Sequence, residues 1–217
     1  MTPRVLVVDD QPLFSQGLSM VLEARPEFSV VGPAASGQQA LDLVAAERPD
    51  AILLDLRMPG MSGLEVLARL RADGDHTPVV VLTTLRHGQA VYEAMHRGAA
   101  AFLTKDAPPA LLVDTLERVL DGDLAVGAPE LREVLERHGA DLPVPEHILP
   151  ELTERERAVF LLCAKGLSNA QIAECESVSL ATVKTQVSAI LRKLGLSSRV
   201  QLAVYAYENH IVRASLG

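Results

Sequence analysis

This chain contains no tryptophan, and its 217 residues include only four phenylalanines and three tyrosines, so aliphatic side chains must build whatever cores it has. Cysteine is as scarce. Cys163 and Cys175 show neither CxxC spacing nor a nearby His pair, which gives no support to a disulfide framework or a zinc site and fits a reducing cytoplasm. Both read as small buried thiols on helices. No run approaches the roughly 20 consecutive apolar residues of a membrane span, and the opening MTPRVLVVDD leads straight into two acids, unlike a signal peptide. The expectation is a cytoplasmic protein with no membrane partner. Neither GxGxxG nor GxxxxGK(S/T) occurs, and Gly32 to Gly37 matches a dinucleotide loop too poorly to count, which sets a nucleotide-binding Rossmann domain aside.

What is present is 48% hydrophobic residues against 22% charged ones, a balance that favours compact folding over disorder. The length suits one large domain, or an ordinary domain with a small module. A net charge of -8 counts, on its face, against a nucleic-acid partner. Its distribution is uneven. Residues 1–150 hold 12 Lys+Arg and 22 Asp+Glu, a balance of -10, whereas residues 151–217 hold 8 and 6, a balance of +2. An acidic module is followed by a mildly basic one.

Short apolar runs at Arg4–Val8, Ser29–Val31, Ala51–Leu54, Val79–Leu82 and Ala101–Leu103 read as strands. Amphipathic stretches near 12–24, 37–47, 63–72, 88–97 and 108–121 read as helices between and after them. The order (βα)5 predicts an α/β, doubly wound, flavodoxin-like parallel sheet over residues 1–121, covered on both faces because runs such as VVVL have no polar side. Residues 122–150 turn to Gly, Pro and charge, with Pro129, Pro143, Pro145 and Pro150, and read as a linker carrying a short helix around Glu130–Arg137. Residues 151–217 carry four helical segments broken at Gly166, Ser177–Ser179 and Gly195, a smaller all-α domain. Thr153 with Glu156, and Ser168 with Gln171, have capping-box spacing.

Ligands of open parallel sheets bind at the carboxyl ends of the strands. Asp9 and Asp10 end the first strand and Asp55 the third. Three carboxylates crowded at one edge repel one another by several kcal/mol, which makes a hard cation such as Mg²⁺ the expected companion. Thr83 ends the fourth strand, and Lys105 follows the fifth. A carboxylate nucleophile, a metal, a hydroxyl and an ammonium suit phosphoryl transfer, which works mainly by positioning and by neutralising oxygens. Asp55 is the best-placed nucleophile.

The strand ending DD, the run ILLDLRMPGMSG, the strand VVVLTT and the run GAAAFLTKD resemble the receiver domain of two-component response regulators. The resemblance implies that Asp55 accepts phosphate from a sensor histidine kinase. It also implies that Asp10, Asp55 and the backbone carbonyl of Arg57 ligate Mg²⁺, with Asp9 acting through a water. Lys105 would pair with the phosphoryl oxygens, Thr83 would move to hydrogen-bond them, and Phe102 would follow Thr83 as the switch. Aspartyl phosphatases use a similar pocket but carry a second carboxylate two residues after the nucleophile, where this chain has Arg57. The expectation is therefore no enzyme beyond a receiver's own phosphorylation and dephosphorylation.

The run LTERERAVFLLCAKGLSNAQIAECESVSLATVKTQVSAILRKLGLSSRVQLA resembles the LuxR/NarL-type (FixJ-type) helix-turn-helix over about fifty residues. That implies a four-helix domain with Ser168–Glu176 as supporting helix and Ser179–Leu194 as recognition helix. Val183, Val187, Ile190, Leu191 and Leu194 share one helical face, and Thr182, Thr185, Ser188 and Arg192 point away. Lys184 and Ser188 stand one turn apart, able to enter a major groove together. Thr182, Arg192, Lys193 and Arg199 are expected backbone contacts on double-stranded promoter DNA. Three departures are local: Glu176 stands where the family usually has an apolar residue, Gln186 where it usually has His, and Ser188 lacks the positive charge some members carry. The implied function is a DNA-binding transcription regulator, homodimeric when phosphorylated. The alternative is a regulator whose helical module grips another protein.

Overall fold

A computed structural model of the protein describes residues 2–84, 89–123, 152–209 and 211. The short helix expected at Glu130–Arg137 and nearly all of the expected linker lie outside them. Five parallel strands, β1 (Arg4–Val8), β2 (Ser29–Ala34), β3 (Ala51–Asp55), β4 (Val79–Thr83) and β5 (Ala101–Thr104), form one sheet in the order β2-β1-β3-β4-β5. The chain returns through α1 (Pro12–Glu23), α2 (Gly37–Glu47), α3 (Gly63–Ala72) and α4 (Gln89–His96), and leaves β5 through α5 (Pro109–Leu120). β3 and β4 are buried along their whole length, as expected of aliphatic runs between two helical layers.

Side chains of α1 and α5, including Leu22, Leu112, Leu116 and Val119, pack on one face with Val5, Val7 and Leu53. Those of α2 and α3, including Val44, Val66, Leu67 and Leu70, pack on the other with Leu6, Val8 and Leu54. Helix α4 serves both faces, sending Val91 and Met95 to the first and Ala94 to the second. β2 runs three residues beyond the Ser29–Val31 expected, because its pairing with β1 resumes at Val8↔Ala34 after a register shift.

Two devices seat the loop after β3. Ser62 and Glu65 form a capping box that starts α3. A Cβ on Gly63 would lie 2.2 Å from the carbonyl oxygen of Asp55, so only glycine lets α3 begin against the end of that strand.

The second module holds α6 (Glu154–Ala164), α7 (Asn169–Cys175), α8 (Leu180–Leu194) and α9 (Arg199–Glu208). Capping boxes form at Thr153/Glu156 and Ser168/Gln171, at the spacing read from the sequence. Val159, Phe160, Ile172, Val183, Val187 and Ile190 make the core, and the rings of Phe160 and Tyr205 meet edge to face at 6.3 Å. Glu176 is the C-cap of α7 and only half-buried, which spares it the cost of an unpaired interior acid. The expectation of two buried thiols holds for Cys163 alone; Cys175 is exposed. Burial pushes the Cys163 thiol up to about 11, so it stays protonated and unreactive at neutral pH.

Helix α9 is buried on two sides. Leu202 and Ala206 belong to the helical module's core, while Val200, Ala203 and Val204 join the α1–α5 side of the sheet beside Val91 and Met95. Polar contacts frame this docking: Ser198 Oγ donates to Ala99 O at 2.8 Å, Gln201 Nε2 to His96 O at 2.8 Å, and Tyr92 Oη to Glu208 Oε1 at 2.5 Å. Burial, reinforced by Glu208, raises the Tyr92 phenol and keeps it a donor. Gly98, at φ +92°, lies where a Cβ would come within 3.0 Å of Ser197 Cβ.

Two outcomes follow for stability. Gly63→Ala should lower the unfolding free energy by about 2 kcal/mol, the cost of forcing a methyl against backbone, measured by urea denaturation. Glu156 is held down to about 2, first by Lys193 and then by Thr153, so it favours folding above the ordinary glutamate value of 4.5 and loses that effect as pH falls toward its folded value. The urea midpoint of Glu156→Gln should therefore fall less than that of the wild type between those two pH values.

Candidate phosphoacceptor site and nucleic-acid interface

β1 and β3 are neighbours, and the strand order reverses between them, so their carboxyl ends open onto a crevice. Asp9, Asp10 and Asp55 meet there, each offering an oxygen within 4.8 Å of the others. Asp9 and Asp55 are almost wholly buried. The backbone N–H of Gln11 donates to Asp9 Oδ1 at 2.9 Å, and that of Arg57 to Asp55 Oδ1 at 3.1 Å, which fixes both carboxylates from the turns that follow them. The Arg57 side chain itself is exposed.

Lys105, carried in by the turn after β5, places Nζ 2.6 Å from Asp9 Oδ2 and 2.7 Å from Asp55 Oδ2. Its ammonium also lies 4.8 Å from the centre of the Phe14 ring, a cation–π contact that the sequence reading missed; Phe14 follows Asp10 by one helical turn, the only signal available. Burial raises Asp9 above the ordinary aspartate value despite Lys105. Burial also works against the Lys105 ammonium, but its bonds to Asp55 and Asp9 outweigh that and raise it. Asp10 Oδ1 is buried without a hydrogen-bond partner among the described residues. An orphaned carboxylate oxygen beside two further carboxylates is a donor set suited to a hard divalent cation.

Thr83 is buried at the end of β4, and Phe102, half-buried on β5, packs against both hydrophobic clusters. The pairing Val81↔Phe102 and Thr83↔Thr104 ties the two strands in register. The sheet thus gathers Asp9, Asp10, Asp55, Thr83 and Lys105 at one edge.

The DNA-side residues divide. Thr182, Thr185, Ser188 and Arg192 are exposed on α8. The hydroxyls of Thr185 and Ser188 donate back to Ala181 O and Lys184 O, and the Thr182 hydroxyl pairs with Ser179, the N-cap. Lys184 is held by Asp121 at 3.2 Å. Lys193 pairs with Glu156 at 2.7 Å. Arg199 departs from the expectation of an available backbone contact: it is 5% exposed, and its guanidinium donates to Leu167 O, to Asn169 Oδ1 and, at 3.3 Å, to Asp123 Oδ1. A buried cation must be surrounded by acceptors, and sequence spacing gave no sign of them. Gln186 keeps its Oε1 buried without a hydrogen-bond partner among the described residues.

Comparison with known proteins agrees with this geometry. Residues 5–117 match the response regulator receiver domain, and residues 150–206 match the bacterial regulatory proteins of the luxR family. The nitrate/nitrite response regulator protein NarL of Escherichia coli is 35% identical over 207 residues, covering 95% of this chain and 96% of that protein. The transcriptional regulatory protein LiaR of Bacillus subtilis is 34% identical over 211 residues, covering 96% and 99%. Among solved structures, the response regulator ChrA of a heme-sensing two-component system shares 28% identity over 97% of this chain and 99% of its own, with a TM-score of 0.53. A LuxR-family two-component response regulator from Aurantimonas shares 30% identity over 63% of this chain and 98% of its own, with a TM-score of 0.58. No helix of the described residues is long and apolar enough to cross a membrane. With a receiver sheet carrying an acidic pocket and a LuxR-type helix-turn-helix behind it, the chain belongs to the NarL/LuxR-type two-component response regulators, transcription regulators and not classical enzymes.

Proposed function

We propose that Asp55 accepts a phosphoryl group from a sensor histidine kinase and that this event controls binding of the α6–α9 module to double-stranded promoter DNA. The observation that carries this reading is the Asp55 carboxylate, buried at a strand end with one oxygen on a backbone N–H and the other on Lys105. Phosphorus passes from an imidazole nitrogen of the kinase to an Asp55 oxygen, and Lys105 is placed to follow the new negative charge. Thr83 supplies a hydroxyl to the phosphoryl oxygens, and Phe102 moves with it. Asp10, Asp55 and the carbonyl of Arg57 would hold Mg²⁺, with Asp9 acting through a water. When bound, the ion supplies neutralising charge to the oxygens of the transferred group. The same pocket supports the receiver's own phosphorylation and dephosphorylation, with no other substrate.

The docking of α9 on α4 is the closed form of this switch. Phosphorylation favours an arrangement in which the module is released and two chains pair as a homodimer. Two half-site contacts joined in one dimer gain effective concentration without any new contact, so the favoured DNA site has two-fold symmetry.

A small phosphodonor with divalent cation should add one phosphoryl group to the wild type, by intact mass, and none to Asp55→Ala. The modified wild type should sediment as a dimer and bind promoter fragments more tightly; modification that leaves the oligomeric state and the binding unchanged would overturn the switch. The raised Asp9 value gives a second outcome. Its charged form disfavours folding, so the pocket's contribution is greatest when Asp9 is protonated and falls as pH rises through the raised value. Mg²⁺ at neutral pH should offset that loss, raising the wild-type Tm by an amount equivalent to about 2.7 kcal/mol at a hundredfold excess over Kd. Asp10→Asn should lose most of this gain.

A further inference from the structure

Helix α1 begins at Pro12, which presets the backbone of its first turn, and the N–H of Phe14 closes that turn on Gln11 O. Helical side chains lean toward the N-terminus of their helix, and that end of α1 is the acidic edge. The Phe14 ring thus comes to 4.8 Å from Lys105 Nζ, the ammonium that also meets Asp9 and Asp55. The Lys105 side chain is only 11% exposed, so this cation–π contact is made largely out of water, where it is strongest.

We propose that Phe14 is a positioning residue for phosphoryl transfer, its ring bracing the Lys105 ammonium while Asp55 changes from a carboxylate to an acyl phosphate. This rests on the phosphoacceptor reading and adds to it the wall that holds the cation. With acetyl phosphate as donor, the P–O bond to acetate breaks, acetate leaves with the electron pair, and a new P–O bond forms to an Asp55 oxygen; no proton moves. Asp55 thereby gives up the carboxylate charge that held Lys105, at the step where the phosphoryl oxygens require the ammonium. Asp9 still attracts the ammonium, but as an anion it also repels the incoming group. The ring attracts a cation through its quadrupole and has no net charge to set against phosphate. Of these three contacts of Lys105, the ring alone steadies the cation without opposing the arriving anion.

Packing by itself does not account for the position of the ring, which is half-buried. Beside it lies an apolar cavity of about 40 Å³, lined also by Leu18, Val21, Leu82, Leu103 and Leu112. A ring placed only for burial would fill that space. The electron density of the ring face, more than its bulk, should therefore govern the reaction.

The test uses the full-length chain with acetyl phosphate and Mg²⁺, the phosphorylation rate being read by intact mass. Ring fluorination withdraws electron density from the face while barely changing its size, and the adjacent cavity leaves room for the substituents. Monofluorophenylalanine in place of Phe14 should slow phosphorylation about twofold, and trifluorophenylalanine about tenfold. Phe14→Leu should be as slow as the trifluoro variant, and Phe14→Tyr should stay within about twofold of wild type. The same fluorinated residues in place of Phe28, which is buried in the same core cluster as the cavity wall, should change the rate less than about twofold. If wild type is phosphorylated but the rate is insensitive to fluorination of Phe14, rises with it, or falls equally on fluorination of Phe28, the brace is wrong. If wild type itself takes up no phosphoryl group, the phosphoacceptor reading fails, and the role of Phe14 with it.

Discussion

Three carboxylates share one edge of the sheet, and their mutual repulsion is the constraint around which the receiver is arranged. Two unit charges about 4 Å apart repel by roughly 4 kcal/mol at the effective dielectric of a protein surface. Lys105 reaches Asp9 and Asp55 at once and offsets much of that cost. The turns after β1 and β3 supply backbone donors to the same groups. Gly63 allows α3 to start close enough to hold the second of these turns. The Phe14 ring lies 4.8 Å from the same ammonium. A pocket balanced in this way by one cation responds strongly to any added charge, whether a divalent ion or a phosphoryl group.

A second constraint governs the coupling of the two modules. Helix α9 belongs to two hydrophobic cores, so separating the modules exposes Val200, Ala203 and Val204 together with their counterparts on α4. Burial of this kind is worth about 25 cal/mol per Å² and favours the docked arrangement. Helix α4, which sends side chains to both clusters, is the receiver element on which α9 lies. The last described helix of the DNA-binding module thereby also packs against the receiver.

Most of the fold was legible in the sequence because its elements are set by local pattern. Aliphatic runs bounded by acids or turn residues gave the five strands, and 3.6-residue periodicity with Ser and Thr caps gave the helices. Thr153, Ser168 and Ser179 cap the helices they were read to start. The gathering of Asp9, Asp10, Asp55, Thr83 and Lys105 was equally accessible, since parallel strands must present their carboxyl ends on one side. Arg199 and Cys175 were not. Their spacing is compatible with either face of a helix end, and packing chose between them: Leu167 O and Asn169 take up the buried guanidinium, whereas the thiol stays exposed at the end of α7.

By itself, then, the sequence determined the two modules, the chemistry of the acidic edge and the polar face of α8, all of which follow from residue type and short-range period. Only the tertiary structure decided that α9 docks on α4, that Phe14 faces Lys105, and that Asp121 and Asp123 lie on Lys184 and Arg199. The hydrogen bonds by which receiver meets helical module join residues 46 to 121 positions apart among the described residues. No local propensity encodes them, because they depend on the relative placement of surfaces that form only after each module has folded.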